Sequence, residues 1–67
     1  MPPLNPYEKG IINTLYNAAR PLTTTQVAKS QNIAWATANK YLARLFDDGY
    51  LEKRPEGNKT LWRLSMK

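Results

Sequence analysis

The stretch that decides the fold is Ile33 to Tyr50, IAWATANKYLARLFDDGY. Stepping by 100° per residue from Ala38 gathers Ala34, Tyr41, Leu42 and Leu45 on one stripe and leaves Ala36, Asn39, Lys40, Ala43 and Arg44 on the other side. That is a helix with a core face and a free face. Gly49 ends it, because a residue without Cβ takes the left-handed position beyond a helix C-terminus at no steric cost. Trp35 and Phe46 fall at the edge of the apolar stripe, where pattern leaves their burial open. The free face holds small residues, an amide and cations in place of a ladder of charge pairs, a composition suited to close approach to a partner.

Immediately upstream, Thr23 and Gln26 have the spacing of a capping box, so a helix of about two turns is expected over 24–30, burying Val27 and Ala28. Gln31 and Asn32 read as a tight polar turn, with Ile33 as the apolar anchor after it. Only three or four residues remain to join this helix to the next. Two helices so joined cross steeply, the helix-turn-helix arrangement. Further upstream, Asn5 as N-cap, Pro6 at the first helical position and Glu8 three residues after the cap start another helix. Ile12, Leu15, Tyr16 and Ala19 recur at i, i+3, i+4 and i+7 and are expected to form its buried face. Gly10 costs up to about 1 kcal/mol in a helix interior, which points to a close contact with a neighbouring element. Pro21 ends the helix at Ala19 or Arg20, and the prolines Pro2 and Pro3 make 1–4 a loose amino-terminal tail.

Downstream of Gly49 the pattern becomes extended. Leu51 to Arg54 reads as one strand and Thr60 to Ser65 as another, with turn chemistry in Pro55, Glu56, Gly57 and Asn58. By the period of two, Trp62 and Leu64 share an inward face while Leu61 and Arg63 share the other. Lys53, Arg54, Lys59 and Arg63 load this hairpin with cations. The fold class expected is therefore α+β and mostly helical, a three-helix helix-turn-helix core followed by a two-stranded β-hairpin. It is expected as a single domain spanning 1–67.

Ten Lys and Arg against five Asp and Glu give a net charge of +5, which on so small a surface favours a polyanion as partner. The absence of Cys and His removes the common zinc ligands and the usual general base, and the five acids form no plausible catalytic pair. No enzyme activity, metal or cofactor is expected. No apolar run approaches the length of a membrane span, so a cytoplasmic, nucleoid-associated protein with no membrane partner is expected.

Three helices followed by a basic hairpin resemble the winged helix-turn-helix domains. The residues carrying the resemblance are Ile12 and Leu15, then Pro21-Leu22-Thr23 with Val27-Ala28, then Ile33, Ala38, Leu42 and Leu45, and finally Gly49 to Arg54 with Leu61-Trp62-Arg63-Leu64. The resemblance implies double-stranded DNA binding by a small transcriptional regulator. A recognition helix from about Trp35 to Asp48 would lie in the major groove, and a wing from about Leu51 to Ser65 on the backbone or minor groove. Leu61-Trp62-Arg63-Leu64 and Asn39 are also similar to features of the left-handed Z-DNA-binding winged domains, but Trp35 stands where those have a lysine and Ala43 where they have a tyrosine.

Within that frame Asn39 suits bidentate readout of adenine, and Lys40 and Arg44 can reach phosphate or guanine. Ala36 lets the backbone approach the groove floor, and Thr37 and Trp35 complete the helix's amino-terminal contact set. On the wing Lys53, Arg54, Asn58, Lys59 and Arg63 are candidates for the backbone. Thr24 and Thr25 would either hold a phosphate or simply serve the helix start. Asp47 and Asp48 repel phosphate and so mark the end that points away from DNA, with pairing to Arg44 as a further role. The alternative is a protein-interaction module of replication or transcription machinery, its partner held by an exposed patch of Trp35, Phe46 and Leu61. A monomer or weak homodimer is expected, since no helix follows the wing to form a dimerisation arm.

Overall fold

The computed structural model describes residues 4–65. Along the chain run α1 (Pro6–Ala18), β1 (Leu22–Thr23), α2 (Thr24–Gln31), α3 (Trp35–Asp47), β2 (Leu51–Glu56) and β3 (Lys59–Leu64). Three helices and a carboxyl-terminal antiparallel hairpin are thus present as expected. Residues 1–3 of the expected tail lie outside the described residues, whereas Leu4 packs against the core.

Local capping chemistry starts the first two helices. Asn5 Oδ1 accepts the Glu8 N–H at 2.7 Å, and Glu8 Oε1 accepts the Asn5 N–H at 3.1 Å. Thr23 and Gln26 repeat the exchange at 3.2 and 2.8 Å. Helix α3 has no such cap; Ala34 precedes it in extended conformation. Ala34 is exposed, which corrects its assignment to the core stripe: it lies one residue before the helix, where helical spacing no longer applies. The rest of that stripe is buried as Ala38, Leu42 and Leu45, with Tyr41 half-buried and stacked on Tyr7 of α1 at 5.8 Å between ring centroids.

On α1 the buried face is rotated from the expected one. Ile11 and Leu15 are buried with Glu8 on their side, Ile12 and Ala18 are partly buried, and Tyr16 is 73% exposed. The helix stops at Ala19, which adopts the left-handed conformation at φ 58° and is exposed. Gly10 does mark a close approach. A Cβ there would collide with the Gln31 side chain, whose Nε2 donates to Gly10 O at 3.3 Å and to Thr14 Oγ1 at 2.8 Å. The last turn of α2 is thereby latched across α1.

Asn32 turns the chain in the left-handed conformation, and the Ile33 N–H donates back to Ala28 O at 3.0 Å. Three residues therefore separate α2 from α3, and Ala38, fully buried, lets the two helices approach. Gly49, at φ 87°, releases the chain from α3 into β2.

The sheet has the order β1-β3-β2. Strand β1 was not expected; its two residues pair with β3 as Leu22↔Trp62 and Thr23↔Leu61. The hairpin is longer than expected, with Pro55 and Glu56 in β2 and only Gly57 and Asn58 in the turn. Pro55 is tolerated because β2 is an edge strand. Gly57 has φ 64° at the first turn position, the requirement of the type II′ connection between twisted strands. Trp62 is buried and carries the sheet into a core shared with Ile11, Leu15, Leu22, Val27, Leu42, Leu45 and Leu51. Leu64 packs at its edge.

Candidate nucleic-acid interface

Three sides of α3 have three different jobs. Ala38, Leu42 and Leu45 face the core. Trp35, Asn39 and Phe46, at i, i+4 and i+11, fall in a row turned toward the hairpin, where Phe46 meets Trp62 edge-on at 6.4 Å. Ala36, Lys40, Ala43, Arg44 and Asp47 form the outward side and are all exposed. This outward side is narrow in bulk and cationic until Asp47. Thr37 is half-buried at its margin.

The amino ends of α2 and α3 and the hairpin turn enclose an open groove of about 450 Å³. Of the residues singled out from sequence, Thr24, Thr25, Trp35, Asn39, Asn58 and Lys59 line it together. Among the described residues Lys59 is the one charged lining residue. Its walls are otherwise hydroxyls, amides and the indole of Trp35, which is 55% exposed. Thr23, Gln26 and Thr60 also line it and were missed. Thr60 was legible, since the period of two places it on the same side as Trp62; Thr23 and Gln26 were read only as the cap.

Thr24 departs from expectation. Although it lines the groove wall it is buried, and its Oγ1 accepts the Trp62 indole N–H at 2.8 Å, so its hydroxyl first of all ties the hairpin to α2. Arg54 and Arg63 also depart. Register pairs Glu52 with Arg63 and Arg54 with Leu61, all on the sheet face opposite Trp62. There Arg63 Nε donates to Glu52 Oε1 at 2.6 Å, and these side chains line a separate concavity beside Pro21. They do not join the groove. Lys53 falls on the Trp62 side, with its ammonium 4.8 Å above the Phe46 ring.

Arg44 makes no ion pair with Asp47 or Asp48 among the described residues, where Arg63–Glu52 is the one salt bridge. Nor do Trp35, Phe46 and Leu61 form a single patch. Trp35 and Phe46 occupy opposite ends of α3, about 16 Å apart along its axis. Leu61 is half-buried on the far face of the sheet.

Comparison with known proteins agrees with the fold. The family described as winged helix-turn-helix DNA-binding matches residues 4–52, most of the chain. None of the curated proteins compared matches it. Among solved structures, the PcaV transcriptional regulator from Streptomyces coelicolor is similar with a TM-score of 0.86 and 23% identity, over 94% of this chain and 46% of that one. The homodimeric winged helix-turn-helix DNA-binding domain Mb0332 from Mycobacterium bovis gives 0.81 and 25%, over 90% and 54%. Human N-acetylserotonin methyltransferase gives 0.81 and 22%, over 90% of this chain but 17% of the enzyme. The chain thus spans about half or less of these proteins, and what they share with it is the fold.

Proposed function

The chain belongs to the winged helix-turn-helix DNA-binding family, and on that premise we propose that it binds double-stranded DNA as a small transcriptional regulator. Helix α3 enters the major groove by its outward side, and the wing tip at Asn58 and Lys59 rests on the adjoining backbone or minor groove. The observation that carries this reading is the asymmetry of α3: Ala36, Lys40, Ala43 and Arg44 are exposed together on the side away from its buried stripe. Small residues allow the helix to sink, and the two cations flank it. Asn39, between that side and the groove, is assigned to base readout. Asp47 closes the row and orients the carboxyl end away from phosphate. A regulator of this kind works in the compartment that holds the chromosome, and we assign it there as a monomer or weak homodimer. The dispersal of Trp35, Phe46 and Leu61 counts against the patch on which the protein-interaction alternative rests and so favours the DNA reading.

Fluorescence anisotropy of random-sequence duplex DNA at two salt concentrations tests the proposal. With Lys40, Arg44 and Lys59 each neutralising a phosphate, the slope of log K against log salt is about −2.7, which is roughly a 40-fold loss of affinity between 50 and 200 mM salt. Lys40→Ala and Lys59→Ala each reduce the slope by about one, while Arg63→Ala, on the far face, leaves it in place. Salt-independent binding, or a slope reduced by Arg63→Ala and not by the other two, refutes the arrangement.

A further inference from the structure

Large exposed aromatic side chains are unusual on a surface otherwise made of small polar groups, and Trp35 is one placed inside a concavity. Its position is awkward for ordinary groove readout. A base pair in a duplex offers a major-groove reader only its edge, and the indole has a single donor and no acceptor with which to read one. What the indole does offer is two broad apolar faces, and the natural complement of such a face is another aromatic face. The bases of a duplex expose theirs only when unstacked.

The other walls suit the rest of a nucleotide. Asn39, one turn after Trp35 on the same row of α3, brings a carboxamide able both to donate and to accept along a base edge. Lys59 and Asn58 face it from the wing turn with an ammonium and an amide for a phosphate, and Thr25 adds a hydroxyl. Among the described residues no Asp or Glu lines the groove, so its walls carry no side-chain carboxylate to repel the phosphate. Its volume of about 450 Å³ lies within the range of roughly 300–1,000 Å³ typical of small-ligand sites.

We propose that this groove holds one unstacked nucleobase against the indole of Trp35, so that the domain prefers DNA containing an unpaired base to uniform duplex. The inference rests on the DNA-binding reading above and adds the conformation of DNA that the site selects. A base stacked on Trp35 has its edge toward Asn39 and its phosphate toward Lys59 and Asn58. Every base has such a face, so the preference is for an unpaired nucleotide and only weakly for its identity.

The test compares three labelled probes at one salt concentration: a uniform duplex, the same duplex with a single-nucleotide bulge, and one of its strands alone. Stacking on one aromatic residue is expected to favour the bulged and single-stranded probes by roughly tenfold. Trp35→Ala brings the three affinities together, and Trp35→Phe keeps part of the preference. Thermal unfolding followed by circular dichroism checks that both variants are folded. The two tryptophans give a second readout, because Trp35 is exposed and Trp62 is buried. Single-stranded DNA quenches the wild-type emission and leaves that of Trp35→Phe, in which Trp62 is the sole indole, unchanged. Salt-sensitive binding with equal affinity for all three probes overturns this inference while the duplex-binding proposal stands; a preference for unpaired DNA that survives Trp35→Ala overturns it too. Failure to bind any probe overturns both.

Discussion

Thr24→Val separates a structural hydroxyl from a functional one. The substitution keeps the shape of the side chain and removes its acceptor. The group left behind is the indole N–H of Trp62, which now donates to Thr24 Oγ1 at 2.8 Å from a side chain only 3% exposed. Water cannot readily replace the lost partner, since Thr24 is itself 5% exposed. An unmet buried donor costs about 1–3 kcal/mol, and in a domain of this size each kcal/mol moves Tm by about 4–8 °C, so Tm should fall by roughly 5–20 °C. The helix cap is untouched, because Thr23 supplies it. The assay is thermal and urea unfolding of the wild type, Thr24→Val, Trp62→Phe and the double variant. In the Trp62→Phe background the donor is gone, so Thr24→Val should cost almost nothing further, giving a coupling of about 1–3 kcal/mol. A coupling below about 0.5 kcal/mol would show that this hydrogen bond does not fasten the wing. Duplex affinity, measured where all variants are folded, should be unchanged; a loss of binding with stability intact would return Thr24 to the phosphate.

Other consequences concern α1 and the wing turn. Ala19→Gly relieves an exposed left-handed alanine and should raise stability by about 0.5–1 kcal/mol, read as the urea midpoint at unchanged slope. Gly10→Ala gains about 1 kcal/mol of helix propensity but displaces the Gln31 amide from its two acceptors, so alone it is expected to be neutral to destabilising by about 1 kcal/mol. In a Gln31→Ala background the same change should stabilise by about 1 kcal/mol; equal effects in both backgrounds would show that no latch exists. Gly57→Ala strains the turn at φ 64° by about 1 kcal/mol, and is expected to weaken duplex binding by displacing Lys59 while leaving the Trp62 fluorescence of the core intact.

What could be read from the sequence was whatever depends on near neighbours. Both capping boxes, the stop at Gly49 and the close approach at Gly10 are matters of a few adjacent residues or of one missing Cβ, and each is present. The face of α1 failed for a different reason. Glu8 sits on the buried side and Tyr16 on the exposed one, so choosing the face by apolarity selected Ile12 and Tyr16 over Ile11 and Ala18, although both rows have helical spacing. Strand β1 could not be read at all. Two residues carry no periodicity, and Leu22 and Thr23 are extended because β3 pairs with them from forty residues away.

The wing shows most clearly how a site can be half legible. Once Trp62 is placed inward, alternation alone puts Arg63 and Leu61 on the far face and Thr60 on the near one, and the pairing with β2 carries Arg54 to the far face and Lys53 to the near one. Counting cations in the hairpin treated as one surface what the pleat divides into two. Lys59 has the same parity as Arg63 yet lines the groove, because it stands at the tip, where the ladder ends and a long side chain can reach either side. The charge available to a ligand on the α3 side therefore comes from the tip, the helix and Lys53, while Arg54, Arg63 and their neighbour Glu52 belong to another surface. A net charge of +5 spread over both faces is compatible with many partners; Lys59 in one groove with an indole and an amide, beside a helix side carrying Lys40 and Arg44, suits far fewer.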